Sequence, residues 1–323
     1  MDNLCHTLVG AALAEAGLRR RTRLAVPTLL IGANLPDIDA LSYLRDPLFA
    51  LTFRRGWTHG VLALVVLPPL LAGAMLAWSR LVGGRRDAPP ASARALLLLS
   101  AIAVGSHPLL DLLNTYGVRL LMPFSERWFY ADTLFIVDPW LWLLLAGGAI
   151  LSWLGRRRGW SPSRAERPAR VALGLAAVYV TGMGISTLVA RKLVREQASA
   201  MGLAGTTTRE MVAPVPANPL ERAVVLEMPG AYRLGGFGWL GGRSLTLEPR
   251  PVPRGFDSAP VAAAAASPAG VAFLAWSRFP AAVVRPGNPG TVVRLYDLRY
   301  AGPAGESWAA VEISVMKSVN GEQ

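Results

Sequence analysis

Apolar runs long enough to cross a bilayer, separated by clusters of arginine, constrain this 323-residue chain more than any other feature. Five runs, at about 24–44, 57–82, 94–115, 137–155 and 170–190, each approach the roughly 20 residues that a helix needs to span the hydrocarbon core. A shorter helix is expected at about 4–17, partly embedded or re-entrant. Only 17% of the residues are charged, against about 25% in ordinary soluble domains. Pro36, Pro68, Pro69 and Pro108 fall inside the runs. Membrane helices tolerate such breaks where neighbours re-satisfy the freed backbone groups. The expected fold is a multi-pass α-helical membrane protein carrying a small C-terminal β-rich (α+β) domain.

The arginines set a topology. The net charge of +12 is almost wholly arginine, because Lys192 and Lys317 are the only lysines. A basic chain can mean nucleic acid, but these arginines punctuate apolar stretches instead of covering one face. No nucleic-acid partner is therefore expected, and membrane lipid is. Arg19, Arg20, Arg21 and Arg23 form one cluster, and Arg80, Arg85, Arg86 and Arg94 a second. Arg156, Arg157, Arg158, Arg164, Arg167 and Arg170 form a third. They occupy alternate loops, as cytoplasmic loops of an inner-membrane protein should. Loops 45–56 and 116–136 then face outward, although Arg54, Arg55, Arg191, Lys192 and Arg195 run against the rule. Cys5 is the sole cysteine, so no intrachain disulfide can form, and Met1-Asp2-Asn3 lacks the positive charge of a secretory signal.

Polar motifs interrupt the apolar runs. All three histidines lie in the first 107 residues, as Cys5-His6-Thr7, Trp57-Thr58-His59-Gly60 and Ser106-His107-Pro108-Leu109-Leu110-Asp111. Asn34-Leu35-Pro36-Asp37-Ile38-Asp39 adds two carboxylates. Ionisable groups in membrane-type sequence are costly, so they pair, line a wet cavity or bind an ion. His6, Asp37, Asp39, His59, His107 and Asp111 supply enough ligands for one or two divalent metals, zinc favoured and manganese possible. His107 and Asp111 stack on one helix face. A regular helix would separate Asp37 from Asp39, so Pro36 is expected to break it and turn both toward one cavity. The topology places all six residues near the outer membrane face.

Each motif has a plainer alternative. The His107–Asp111 pair can simply glue two helices together. Asp37 or Asp39 can pair with Arg54 or Arg55, which leaves the histidines unexplained. His6 or His59 alone is weak support for a metal, and Cys5 reads better as a small buried hydrophobe than as a thiolate ligand.

From about residue 191 the composition changes. Short stretches rich in Val, Leu and aromatics, at 223–228, 231–240, 243–248, 281–285, 291–300 and 308–317, are separated by polar turns such as Pro286-Gly287-Asn288-Pro289-Gly290. They read as strands. Ser267-Pro268 is expected to cap a short helix that runs to Phe279, while the Ala/Pro-rich 259–270 segment reads as a loop. The chain thus divides into a helical metal-site domain, 1–190, and an extracytoplasmic β-rich domain with one helix, 191–323.

His6-Thr7-Leu8-Val9-Gly10, Asn34 to Asp39, Arg55-Gly56-Trp57-Thr58-His59 and His107 to Gly117 together resemble the membrane-bound metal-dependent hydrolases of the YdjM-like family. Pro123-Phe124-Ser125, Asp132 and Val137-Asp138-Pro139 fit the same pattern, and Leu298-Arg299-Tyr300 resembles the longer members more loosely. The resemblance is strong over residues 1–155 and implies a hydrolase without naming a substrate. The expected function is an integral membrane hydrolase in which metal activates water at the outer membrane–water boundary. Asp37, Asp39, His107 and Asp111 would be catalytic, and the substrate a lipid or other ester or phosphoester. Asn114, Ser125, Asp132 and Asp138 would position substrate, though loop residues of this kind usually form turns. A non-enzymatic metal-binding or transport protein is the alternative, and a scaffold with a helical anchor a third reading.

Overall fold

The structure is a computed structural model that describes residues 1–81, 91–287, 290–300 and 308–315. Arg85 and Arg86 of the second cluster, Asn288 and Pro289 of the expected turn, and Met316 and Lys317 of the last expected strand lie outside these residues. The chain divides into two compact units. One comprises 1–41, 54–189 and 213–219, and the other 42–53, 190–212 and 220–323.

The first unit is helical. α1 (Asn3–Glu15) begins at Asp2, whose side chain accepts the backbone N–H groups of Leu4 and Cys5, the usual satisfaction of a helix start. α2 (Ala25–Asn34) packs closely on α1, because a Cβ at Gly10 would lie only 2.8 Å from the Leu29 carbonyl oxygen. The expected span at 24–44 is not one helix: α2 ends at Asn34 and the chain continues as a 3₁₀ segment, Leu35–Leu44. Pro36 supplies the reason, since its ring has no N–H to continue the helical ladder and crowds the preceding turn. α3 (Pro47–Phe53) belongs to the second unit. α4 (Val61–Leu81) and α5 (Ala93–Leu112) follow, with α5 packed against both α2 and α4. α6 (Pro139–Arg157) starts at Asp138, whose carboxylate accepts Leu141 N–H at 2.9 Å. α7 (Pro162–Ala198) is far longer than the expected 170–190 run. Among the described residues, α4, α5 and α7 with its continuation to Leu203 are long and apolar enough to cross a membrane.

The helix directions sort the unit into two ends. Glu15, closing α1, pairs with Arg19 and Arg156, while Glu166 near the start of α7 pairs with Arg20 and Arg170. Arginines distant in sequence therefore gather at one end. At the other end Asp2 accepts the indole N–H of Trp142 at 3.1 Å, tying the start of α1 to the start of α6. Cys5 is wholly buried among Leu134, Leu141 and Leu145, as a small hydrophobe would be.

The second unit holds the β-structure. One sheet has the order β1 (Arg209–Val215), β2 (Asn218–Met228), β3 (Ala231–Gly238), β4 (Ser244–Leu247), with β5 (Val252–Pro253) also paired to β3. Val224 lies opposite Gly235 in the antiparallel β2–β3 register. Val194, Val212, Val224, Leu226 and Phe237 form its core. A second sheet has the order β6 (Pro280–Pro286), β7 (Thr291–Asp297), β8 (Ala310–Val315). Two short helices correct the expectation of one: α8 (Ala259–Ala266) occupies the segment expected to be a loop, and α9 (Pro268–Trp276) starts at the expected Ser267 cap. An alanine run is a good helix former once Pro260 starts it, and that propensity outweighs its loop-like composition. β1 and β5 were not expected from the sequence; β5 is only two residues long.

Candidate metal centre

Every expected ligand comes from the end of the helical unit opposite the Glu15 and Glu166 arginine cluster. His6 is in the first turns of α1, Asp37 and Asp39 lie in the 3₁₀ segment after α2, and His59 sits in the turn before α4. His107 and Asp111 occupy the last turns of α5. All six are buried. Pro36 does what the motif suggested: in the 3₁₀ segment both carboxylates turn inward, while Ile38 and Leu41 stay exposed.

Two overlapping ligand sets form, His6 with His107 and Asp111, and Asp37 with His59 and His107, their donor atoms within 4.8 Å of one another. The rings of His6 and His107 stack at 3.6 Å between centroids, and Nε2 of His59 faces Nε2 of His107 at 3.1 Å. Hydrogen-bond partners decide which nitrogens carry protons. His107 Nδ1 lies 2.6 Å from the Ala33 carbonyl oxygen, which can only accept, so Nδ1 donates. The single Thr58 hydroxyl proton goes to Asp39 Oδ2 at 2.8 Å, so His59 Nδ1 donates to Thr58 Oγ1 at 3.0 Å. In the singly protonated form of both rings the two Nε2 atoms are lone pairs pointed at each other. Asp111 Oδ2 joins them, 3.2 Å from His59 Nε2 and 3.5 Å from His107 Nε2. Asp37 lies 3.7 Å from His107 Nε2 and 3.8 Å from His59 Nε2. His6 Nε2, Asp37 Oδ1 and Asp111 Oδ2 are buried without a hydrogen-bond partner. Such groups are costly unless a cation sits among them.

Asp39 stands apart from both ligand sets. Its Oδ2 accepts Thr58 Oγ1–H and the Arg55 N–H, each at 2.8 Å, and lies 3.3 Å from His59 Nδ1. That is the position of a carboxylate that orients a liganding imidazole from behind.

The arginines weighed as simple pairing partners are part of the site. Arg55 reaches Asp111 at 3.2 Å, Asn114 Oδ1 at 3.3 Å and the Met1 carbonyl oxygen at 3.2 Å. The Met1 α-amino group also contacts Asp111. Arg54 approaches Asp37 at 3.5 Å and Asp39 at 3.4 Å. Arg119 donates to the Arg54 carbonyl at 3.0 Å, and a Cβ at Gly56 would fall 2.7 Å from its guanidinium. Glycine at 56 is therefore what lets that side chain pass. The signal for these residues was present, since two arginines in a loop expected to face outward run against the charge rule.

Of the residues expected to position substrate, Asn114 reaches the site through Arg55, while the other three serve the surrounding frame. The Ser125 hydroxyl accepts Arg127 N–H at 3.3 Å as a turn former. Asp132 is buried with left-handed backbone, φ 53°, and its carbonyl accepts the Thr187 hydroxyl. Asp138 caps α6 and accepts the Tyr179 hydroxyl at 2.9 Å.

With that geometry in place, the comparisons are informative. The family model described as YdjM inner membrane protein matches residues 1–191. A Bacillus subtilis (strain 168) protein, the uncharacterized protein YfhP, is 25% identical over 154 residues. That match covers 44% of this chain and 43% of YfhP, so the chain spans less than half the length of this relative. No solved structure matches the chain.

Proposed function

Because the chain belongs to the YdjM inner membrane protein family, we propose that this membrane protein is a metal-dependent hydrolase. The observation that carries the reading is the convergence of His59 and His107 Nε2, 3.1 Å apart, with the His6, Asp37 and Asp111 donors in two overlapping three-residue sets. A cation between them would take both lone pairs, and Asp37 and Asp111 would offset its charge.

His6, His59, His107, Asp37 and Asp111 would hold one or two divalent ions. The nitrogen-rich donors favour zinc, and the carboxylates admit manganese. When bound, the ion supplies Lewis acidity toward the scissile group and a more acidic water. The side chains do the rest. Ala33 and Thr58 hold the two imidazoles in the Nδ1–H form, and Asp39 keeps His59 in place through Thr58. Arg55 steadies Asp111 against rotation.

The rim favours an amphiphilic ester or phosphoester. Leu4, Ile38, Leu41, Trp57, Leu121 and Phe124 are exposed around the ligand end, Phe124 at 82%. Exposed apolar groups of this size suit a lipid surface. The alternate arginine clusters support a topology in which the ligand end faces out of the cytoplasm. Metal analysis of detergent-purified protein, with hydrolysis assays on lipid esters and phosphoesters, tests the reading. Stoichiometric metal that His107→Ala loses, with hydrolysis lost in parallel, is the expected result. Metal-free wild-type protein after zinc and manganese loading would overturn it. Metal uptake into sealed vesicles without hydrolysis would instead mark a transporter.

A further inference from the structure

The charge balance of the metal centre restricts what can bind there. Asp37, Asp39 and Asp111 are met by Arg54 and Arg55, which touch them, while Arg119, packed behind Arg54, also faces Glu126. Counted on the touching side chains, the site carries one surplus negative charge before any ion enters. A divalent ion would turn it positive, and buried uncompensated charge is expensive. A neutral carboxylic ester cannot correct that imbalance, whereas an anionic group can.

The geometry points to a phosphate ester as the group that completes the site, received by the Arg54 guanidinium. This inference rests on the metal reading above. Arg54 is the arginine placed to do so. Its side chain is 20% exposed, against 6% for Arg55, so it alone of the two touching the carboxylates reaches the surface. Its contacts with Asp37 and Asp39, at 3.5 and 3.4 Å, are long for charge-assisted pairs. Carboxylates drawn toward an ion would leave those donors to a phosphate oxygen, whose geometry a guanidinium matches. Arg55 is turned inward instead, onto Asp111, Asn114 and the Met1 and Gly117 carbonyls.

The test is calorimetric titration of inorganic phosphate into detergent-purified full chain, metal-free and stoichiometrically loaded. Phosphate should bind the loaded protein at least about ten-fold more tightly, and should tighten the metal by the same factor, since coupling is reciprocal. Arg54→Gln should keep its metal and lose about ten-fold or more in phosphate affinity, the scale of a charge-assisted contact. Arg54→Lys should recover part of the loss. Displacement of phosphate by short-chain phosphatidic acid in micelles would put the group on a lipid. Displacement only by glycerol phosphate would put it on a soluble ester. Metal binding with equal phosphate affinity in loaded and metal-free protein would refute the phosphate ester and leave the metal centre standing. Failure of the metal itself to bind would refute both.

Discussion

Two buried clusters of charge, one in each unit, make opposite use of the same side chains. In the β-rich unit Asp297 accepts the Ser277 hydroxyl at 2.8 Å, the Arg278 N–H at 2.7 Å and the Arg299 N–H at 2.9 Å. The Arg299 guanidinium grips both its oxygens at 2.9–3.1 Å and lies over the Trp276 ring. Burial alone would raise the Asp297 pKa, but Arg299 and these donors outweigh it and hold the carboxyl below its ordinary range. The helical unit's cluster has more ionisable groups and fewer satisfied ones, with His6 Nε2, Asp37 Oδ1 and Asp111 Oδ2 left without hydrogen bonds. Saturation marks a cluster that holds a fold together. Unsaturated atoms converging on one point are what the proposed metal site would use.

The comparison breaks most readily by deletion. His107→Ala should abolish stoichiometric metal in purified protein, as read by elemental analysis, because His107 belongs to both ligand sets. Retention of full metal would make the two clusters alike. Next in size, Arg299→Ala should destabilise the β-rich unit by about 3–5 kcal/mol, the cost of stranding a buried partner. Its unfolding can be followed by hydrogen exchange across β7. Asp37→Asn should lose metal with a smaller change in thermal stability than Arg299→Ala, since Asp37 Oδ1 has no hydrogen bond and only a 3.5 Å contact with Arg54.

Smaller effects sharpen the contrast. Asp39→Asn should weaken metal by about 10–100-fold without abolishing it, as expected of a group behind a ligand. Loss as complete as in His107→Ala would place Asp39 among the ligands. The last effect is in pH. A carboxyl whose folded pKa is depressed adds stability above its unfolded value near 4 and loses it as pH falls toward the folded one. Hydrogen-exchange stability of β7 should therefore fall below about pH 4, with a shallower slope in Asp297→Asn.

Much of this was readable from the chain. The capping residue Ser267 starts its helix as expected, and the strands near 223–228, 231–240 and 291–300 fall within a few residues of their expected places. These features are local, set by side chains within a turn or two of the backbone they satisfy. The 24–44 run misled because apolar composition measures length and not continuity. Pro36 alone ended the helix. The 259–270 segment misled in the other direction, since alanine and proline suit a loop or a helix start equally until packing chooses.

The six buried His and Asp positions were likewise visible as ionisable residues in apolar sequence, because the bilayer makes such residues costly wherever they occur. Their division of labour was not. That Asp39 stands behind His59, and that Ala33 and Thr58 occupy the two Nδ1 atoms, depend on distances of about 3 Å between segments as much as 74 residues apart. Sequence determined which groups must leave the lipid, since that is a property of each residue. Only the packed helices decided which atom of each group faces which, because hydrogen-bond geometry is a property of pairs brought together by the fold.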